Sequence, residues 1–169
     1  MKSKYISPLV CGFTASVLTI VPGLKEIGCC LIIPFAAGFS LFLFQKANNN
    51  NEKISVKDGL FFGLMTGIFS AVFSTALEIL FTGIFHTNEF VKSLPQVEAM
   101  FKSFAPQILL DQVFQMYKNM AKEIRTNGFS LIYTIYFFAA TSITSVIFGL
   151  IGGLLGMAFI NRRNLNSDK

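Results

Sequence analysis

Apolar residues gather in four long runs along this chain: Ile6 to Leu24, Ile27 to Phe44, Gly59 to about Phe85, and Phe129 to Ile160. A helix needs about 20 residues to cross about 30 Å of hydrocarbon. The first two runs are short for that task, and the last two are long enough to tilt or protrude. The pattern predicts an all-α integral membrane four-helix bundle, one transmembrane domain over residues 1–169. Pro22, Gly23, Leu24, Lys25 and Glu26 predict a tight turn between the first two spans, and Pro34 predicts a kink within the second. A polar linker from Lys46 to Asp58 contains Asn48 to Asn51 as a flexible spacer. Ser55, followed three residues later by Asp58 just before an apolar run, predicts the N-terminal cap of span three.

The stretch from His86 to Gly128 is different in kind, and an extramembrane helical segment is expected at about residues 89–125. Pro95 and Pro106 are expected to cut it into two helices, the second opening on Pro106. In that second helix Leu109, Val113, Met116, Met120 and Ile124 form one apolar stripe, with polar residues on the remaining faces. Such an amphipathic helix lies in the membrane interface or on the bundle. Phe90, Leu94, Val97, Phe101 and Phe104 make a similar, weaker stripe.

Composition agrees with a membrane protein. Hydrophobic residues make up 53% and charged residues 14%, against about 25% charged in soluble domains, and the mean hydropathy is +0.59. The net charge of +5 forms no continuous patch, so nucleic acid is not an expected partner. The basic residues flank the apolar runs, where they orient spans. With four spans both termini share a side. That side carries Lys2, Lys4, Lys46, Lys53, Lys57, Arg162, Arg163 and Lys169 in short segments. Lys25, Lys92, Lys102, Lys118, Lys122 and Arg125 are spread over the longer opposite side. Charge density therefore places both termini in the cytoplasm of a multi-pass cell-membrane protein.

Small residues recur at helical spacing. Gly59, Gly63 and Gly67 lie on one face of span three, continued by Ala71. Span four offers Gly149, Gly152, Gly153 and Gly156 with Ser142 and Ser145, and span one offers Gly12, Ser16, Thr19 and Gly23. Between helices in lipid there is little hydrophobic drive, and small residues let backbones approach closely. These rows read as helix-packing faces that serve the bundle, a homo-oligomer, or both.

Glu78 stands out as an acid within span three, sharing a side with Ser74 and Ala71 and within reach of Ser74 and Thr75. An intramembrane acid is by default a functional-site hypothesis. It lies about 9 Å beyond the span's midpoint at 1.5 Å per residue, and no basic residue within the spans pairs with it. A second intramembrane polar group facing it would favour transport, and Thr141, Ser142 and Thr144 in span four are the only candidates. A transport role would use Glu78 as its titratable group.

No catalytic, cofactor-binding or metal site is expected. His86 is the only histidine, and the three cysteines, Cys11, Cys29 and Cys30, lack metal-ligand spacing. Cys11 and the Cys29–Cys30 pair fall at different depths, which argues against a disulfide. There is no G-x-S-x-G and no P-loop.

Three stretches carry a resemblance. "CGFTASVLTIVPGLKEIGCCLIIPFAAGFSLFLFQK" is similar to the opening of a group of uncharacterised bacterial four-helix membrane proteins: a G-x-x-x-S helix, a proline, a cysteine-bearing turn, then a small-residue helix with a basic end. "ISVKDGLFFGLMTGIFSAV" resembles their Asp-Gly pair opening a glycine-spaced span, and "FGLIGGLLGMAFINRR" their glycine-rich last span. In this chain the cysteine cluster is reduced to Cys29–Cys30 after Gly28, and the long middle stretch takes no part. The resemblance implies the four-helix membrane fold and no particular activity. The functional expectation is a non-enzymatic membrane protein working through packing, oligomerisation or partner binding in the lipid bilayer, with a small transporter or channel-like unit as the alternative.

Overall fold

Helices account for all regular structure among the described residues, as long apolar runs with few breakers dictate. The computed structural model describes residues 3–21, 28–48, 53–102 and 107–167. The turn expected at Pro22–Glu26, Asn49–Asn51, Phe104 and Pro106 lie outside these residues. The described residues form six α-helices: α1 (Ser3–Ile20), α2 (Ile33–Ala47), α3 (Val56–Phe85), α4 (Glu89–Lys102), α5 (Gln107–Asn127) and α6 (Leu131–Ser167). A π-helical turn, Gly28–Ile32, leads directly into α2.

Among the described residues three helical stretches, and not four, are long and apolar enough to cross a membrane: Cys30–Ala47, Val56–Phe85 and Leu131–Asn164. The rest of the first apolar run, residues 22–24, lies outside the described residues, and α1 runs to Ile20. Its apolar part, Lys4–Ile20, extends only about 25 Å at 1.5 Å per residue. Pro34 also sits differently from expectation. It occupies the first turn of α2, where a missing N–H costs nothing, and the kink expected within span two is replaced by a junction with the π-helical turn. Pro95 does not divide the middle stretch, because α4 continues through it from Glu89 to Lys102.

The contacts separate the chain into two units, Met1–Leu77 with Phe138–Lys169, and Glu78–Phe137. In the first, directions follow from successive contacts. Gly59 meets Gly153 and Met157, Gly63 meets Gly149, and Gly67 meets Ser145, so α3 and α6 are antiparallel here. Pro34 lies against Gly152 and Gly38 against Gly156, so α2 runs alongside α6 in the same sense. Edge-on ring pairs Tyr5–Phe61 and Phe13–Phe73, at 5.8 and 5.2 Å, set α1 parallel to α3. Helices adjacent in sequence therefore alternate in direction.

The buried residues of this unit are mostly small or hydroxylated: Cys11, Ala15 and Ser16 on α1, Ala37 and Ser40 on α2, Thr66, Ser70 and Ala71 on α3. Thr66 donates to the Ser40 hydroxyl at 3.2 Å within this core. A larger cluster, Leu41, Phe62 and Ile160, closes one end. The large apolar side chains point mainly outward, with Phe35 74% exposed and Phe159 76%. That inversion of the soluble-protein pattern is the main physical fact about the unit.

At the same end, Asn161 of α6 clamps the chain before α3. Its Oδ1 accepts the Ile54 N–H at 2.8 Å, and its Nδ2 donates to the Ile54 carbonyl at 3.0 Å. Lys4 pairs with Asp58 at 3.2 Å. Asp58 N–H in turn donates to Ser55 Oγ at 3.2 Å, while that hydroxyl donates to Asp58 Oδ2 at 2.7 Å. The Ser55 hydroxyl thus caps the first turn of α3, as the Ser55–Asp58 spacing predicts.

The second unit has a more ordinary apolar core: Val91 and Leu94 from α4, Met120, Ala121 and Ile124 from α5, and Tyr133 from α6. The buried stripe on α5 is rotated from the expected one. Phe114, Met120, Ala121 and Ile124 are buried, whereas Val113 and Met116 are exposed. Phe114 and Tyr117, whose rings stack edge-on, carry more apolar area than Val113 and Met116 and so draw their own face inward. The side chains of Leu109 and Phe101 lie outside the described residues.

Candidate functional site

The second unit holds the acid singled out by the sequence. Tyr133, near the start of α6, donates its hydroxyl to Glu78 Oε1 at 2.8 Å. Tyr133 is buried in the apolar core, and its ring lies 5.3 Å from Phe90 and 5.9 Å from Phe137. A phenol–carboxylate hydrogen bond in such surroundings satisfies both groups and fixes the carboxylate's direction.

Around this pair the helix ends are built from unusual backbone. α3 ends at His86, with φ of 52° and its N–H donating to the Thr82 carbonyl at 2.9 Å. α5 ends at Gly128, with φ of 69° and its N–H donating to the Ile124 carbonyl at 2.8 Å. Left-handed residues of this kind terminate helices by satisfying a last carbonyl. A side chain at Gly128 would meet Gly83 O at 3.0 Å and His86 Nε2 at 3.2 Å, so this glycine serves both the cap and the close approach. Asn88 then caps α4, its Oδ1 accepting the Val91 N–H at 3.0 Å. Thr82 and Ser130 are buried, 4% and 2% exposed, and their hydroxyls find no partner among the described residues. Asn88 Nδ2 is likewise buried and unpartnered.

The other residues proposed for the site have these partners. Thr75 returns its hydroxyl to the Ala71 carbonyl at 2.9 Å, and Ser74 is half-buried. Thr141 donates to the Phe138 carbonyl at 3.2 Å and Thr144 to the Ala140 carbonyl at 2.6 Å, both on their own helix. Tyr133 was missed. Sequence reasoning looked for small hydroxyls in the middle of the last span. Yet in an antiparallel hairpin the far end of one helix faces the beginning of the next, and Tyr133 stands at that beginning. Among the described residues no group of three or more His, Cys, Asp or Glu is placed to hold a metal ion. Cys11 is buried and Cys30 exposed, both as free thiols.

The glycine rows show how closely backbones pass in the first unit. A Cβ on Gly67 would lie 2.5 Å from Ser145 O, and one on Gly149 2.5 Å from Gly63 O. At Gly63 and Gly153 it would strike Gly149 O and Gly59 O respectively. Gly59 is less tight, at 3.3 Å from Gly153 O, and Gly156 abuts Gly38.

Among the described residues, six α-helices, three of them carrying stretches long and apolar enough to cross a membrane, define an all-helical class and suggest a membrane protein. The chain belongs to the DUF4199 family, proteins of unknown function, which matches over residues 8–162. The match takes in the middle stretch that the resemblance had left aside. No curated protein and no solved structure matches the chain.

Proposed function

We propose that this protein is a multi-pass integral membrane protein of the cell membrane that acts without catalysis, through helix packing, self-association or partner binding. The observation that supports this best is the inverted surface: Phe35, Ile84 and Phe159 are all at least 70% exposed, while glycine, serine and threonine occupy the interior. Water would penalise that arrangement by about 25 cal/mol for each Å² of apolar surface, whereas lipid does not. α1 supplies a fourth, shorter span in this reading. Both termini are cytoplasmic, since Lys4, Lys46, Lys53, Lys57, Arg162 and Arg163 fall at the helix ends on the termini's side. The test is labelling by an impermeant maleimide in intact cells, using a chain whose native cysteines are replaced by alanine. A Gln96→Cys variant should react from outside, and a Lys53→Cys variant only after permeabilisation. Equal reaction at both positions, or loss of the protein from carbonate-washed membranes, defeats the reading.

A second reading, ion- or proton-linked transport, is favoured by one observation: Glu78 is held by Tyr133 in a unit that also carries the buried, unpartnered hydroxyls of Thr82 and Ser130. Glu78 would exchange the proton or ion. Reconstituted vesicles should then show a flux that Glu78→Gln abolishes; the same flux in both proteins, or none in either, removes transport.

A further inference from the structure

An apolar groove of about 690 Å³ runs between α2 and α6 in the first unit. Its floor exists because the two backbones touch at small residues: Gly38 against Gly156, and Pro34 against Gly152. With no side chains to fill that line, Phe35, Phe39, Phe148, Leu155 and Phe159 stand up as walls. Its volume falls within the range of about 300–1,000 Å³ typical of small-ligand sites. Along α6 it extends from Phe148 to Arg163, about 22 Å at 1.5 Å per residue. That exceeds half of a hydrocarbon core about 30 Å thick, so one acyl chain of one leaflet can lie along it.

The groove is apolar everywhere except at one end, where Arg163 lines it. The guanidinium is held 5.2 Å from the centre of the Phe42 ring, which orients it at the mouth. No carboxylate pairs with Arg163 among the described residues. Lys4, at the same end of the unit, is by contrast already paired with Asp58. A planar guanidinium presents paired donors that match a phosphate, and the adjacent exposed Arg162 adds a second positive charge. Two cations disfavour a headgroup that carries its own ammonium and favour one that is net negative.

We propose that this groove is a binding site for an anionic phospholipid, with an acyl chain between the phenylalanine walls and the phosphate on Arg163. The proposal rests on the membrane reading above, and its test separates the two. The chain contains no tryptophan, so a single introduced one is a clean reporter. Phe159→Trp places it on the groove wall at a site that is largely exposed and tolerant of the change. Ile6→Trp places it on exposed α1 surface at the same end, beside the already paired Lys4. Each full-length protein is reconstituted in phosphatidylcholine vesicles containing either dibrominated phosphatidylglycerol or dibrominated phosphatidylcholine, and quenching gives relative lipid affinity. The Phe159→Trp protein should prefer the anionic lipid by about fivefold or more, the scale of one basic residue at an anionic surface. The Ile6→Trp protein should show no preference. Adding Arg163→Gln to Phe159→Trp should abolish the preference, and Arg163→Lys should retain part of it. Equal affinities at Phe159→Trp mean only ordinary surrounding lipid and overturn the proposal. Quenching at Ile6→Trp but not at Phe159→Trp means that a second copy of the chain covers the groove, which also overturns it. Absence of quenching at both positions would instead bring down the membrane reading itself.

Discussion

At the scale of single residues, two glycines on the same helix should respond oppositely to the same methyl group. Replacing glycine by alanine within a helix normally stabilises by about 0.5–1 kcal/mol through backbone entropy. At Gly83 nothing opposes that gain, since an added Cβ meets only Gly128 O at 4.0 Å. At Gly63 the methyl would run into the Gly149 carbonyl, a backbone atom that cannot turn aside. Gly63→Ala should therefore destabilise by about 1–3 kcal/mol through overpacking, and Gly83→Ala should stabilise. Unfolding in detergent micelles decides the matter: equal and favourable shifts for both would mean that the backbones do not approach as closely as described. The same scale shows what could be read in advance. The glycine spacing was visible because period four is a property of one helix. The bond from Tyr133 to Glu78 was not, because it depends on the register between two helices distant in sequence. Asn161, which clamps Ile54 from more than a hundred residues away, left no local signal at all.

Single elements begin and end where local chemistry tells them to, and their faces are chosen by competition. The start of α3 was legible in Ser55 and Asp58, because a cap is satisfied within four residues. Ser55→Ala removes the acceptor for the Asp58 N–H and the donor to its carboxylate. A cost of about 0.5–2 kcal/mol follows, and amide exchange should quicken over Val56–Gly59 while the middle of α3 is unaffected. Protection unchanged in that first turn would show that the Asn161 clamp alone holds the helix start. Prolines were less legible. Pro34 was expected to kink span two and stands in the first turn of α2, whereas Pro95 was expected, with Pro106, to cut the middle stretch into two helices and lies inside α4. Inside a helix proline removes one backbone hydrogen bond, yet α4 continues past Pro95 to Lys102. On α5 an apolar stripe was expected, and the aromatic area of Phe114 and Tyr117 on the same helix turned a different face inward.

At the scale of the whole molecule, the two units differ in the physics that forms them. Glu78–Phe137 closes around Val91, Leu94, Met120 and Ile124 in the manner of a water-soluble core. The other unit buries small and hydroxylated residues and turns many of its phenylalanines outward, the reverse of the water-soluble pattern. The alternation of helix directions in that unit brings Lys4, Asp58 and Asn161 to one end. The orientation test above exploits this: the density of Lys and Arg there predicts the side that stays in the cytoplasm.

The sequence by itself determined the helical class, the membrane-type composition, the cap of α3, and the spacing of its glycines. All of these follow from patterns within a few turns of chain, where periodicity and composition act directly. Only the tertiary structure decided that Tyr133 takes Glu78, that Asn161 closes on Ile54, and that Gly38 and Gly156 open a groove ending at Arg163. Each of these requires two segments far apart in sequence to meet in one register, and register is set by the summed packing of whole helices.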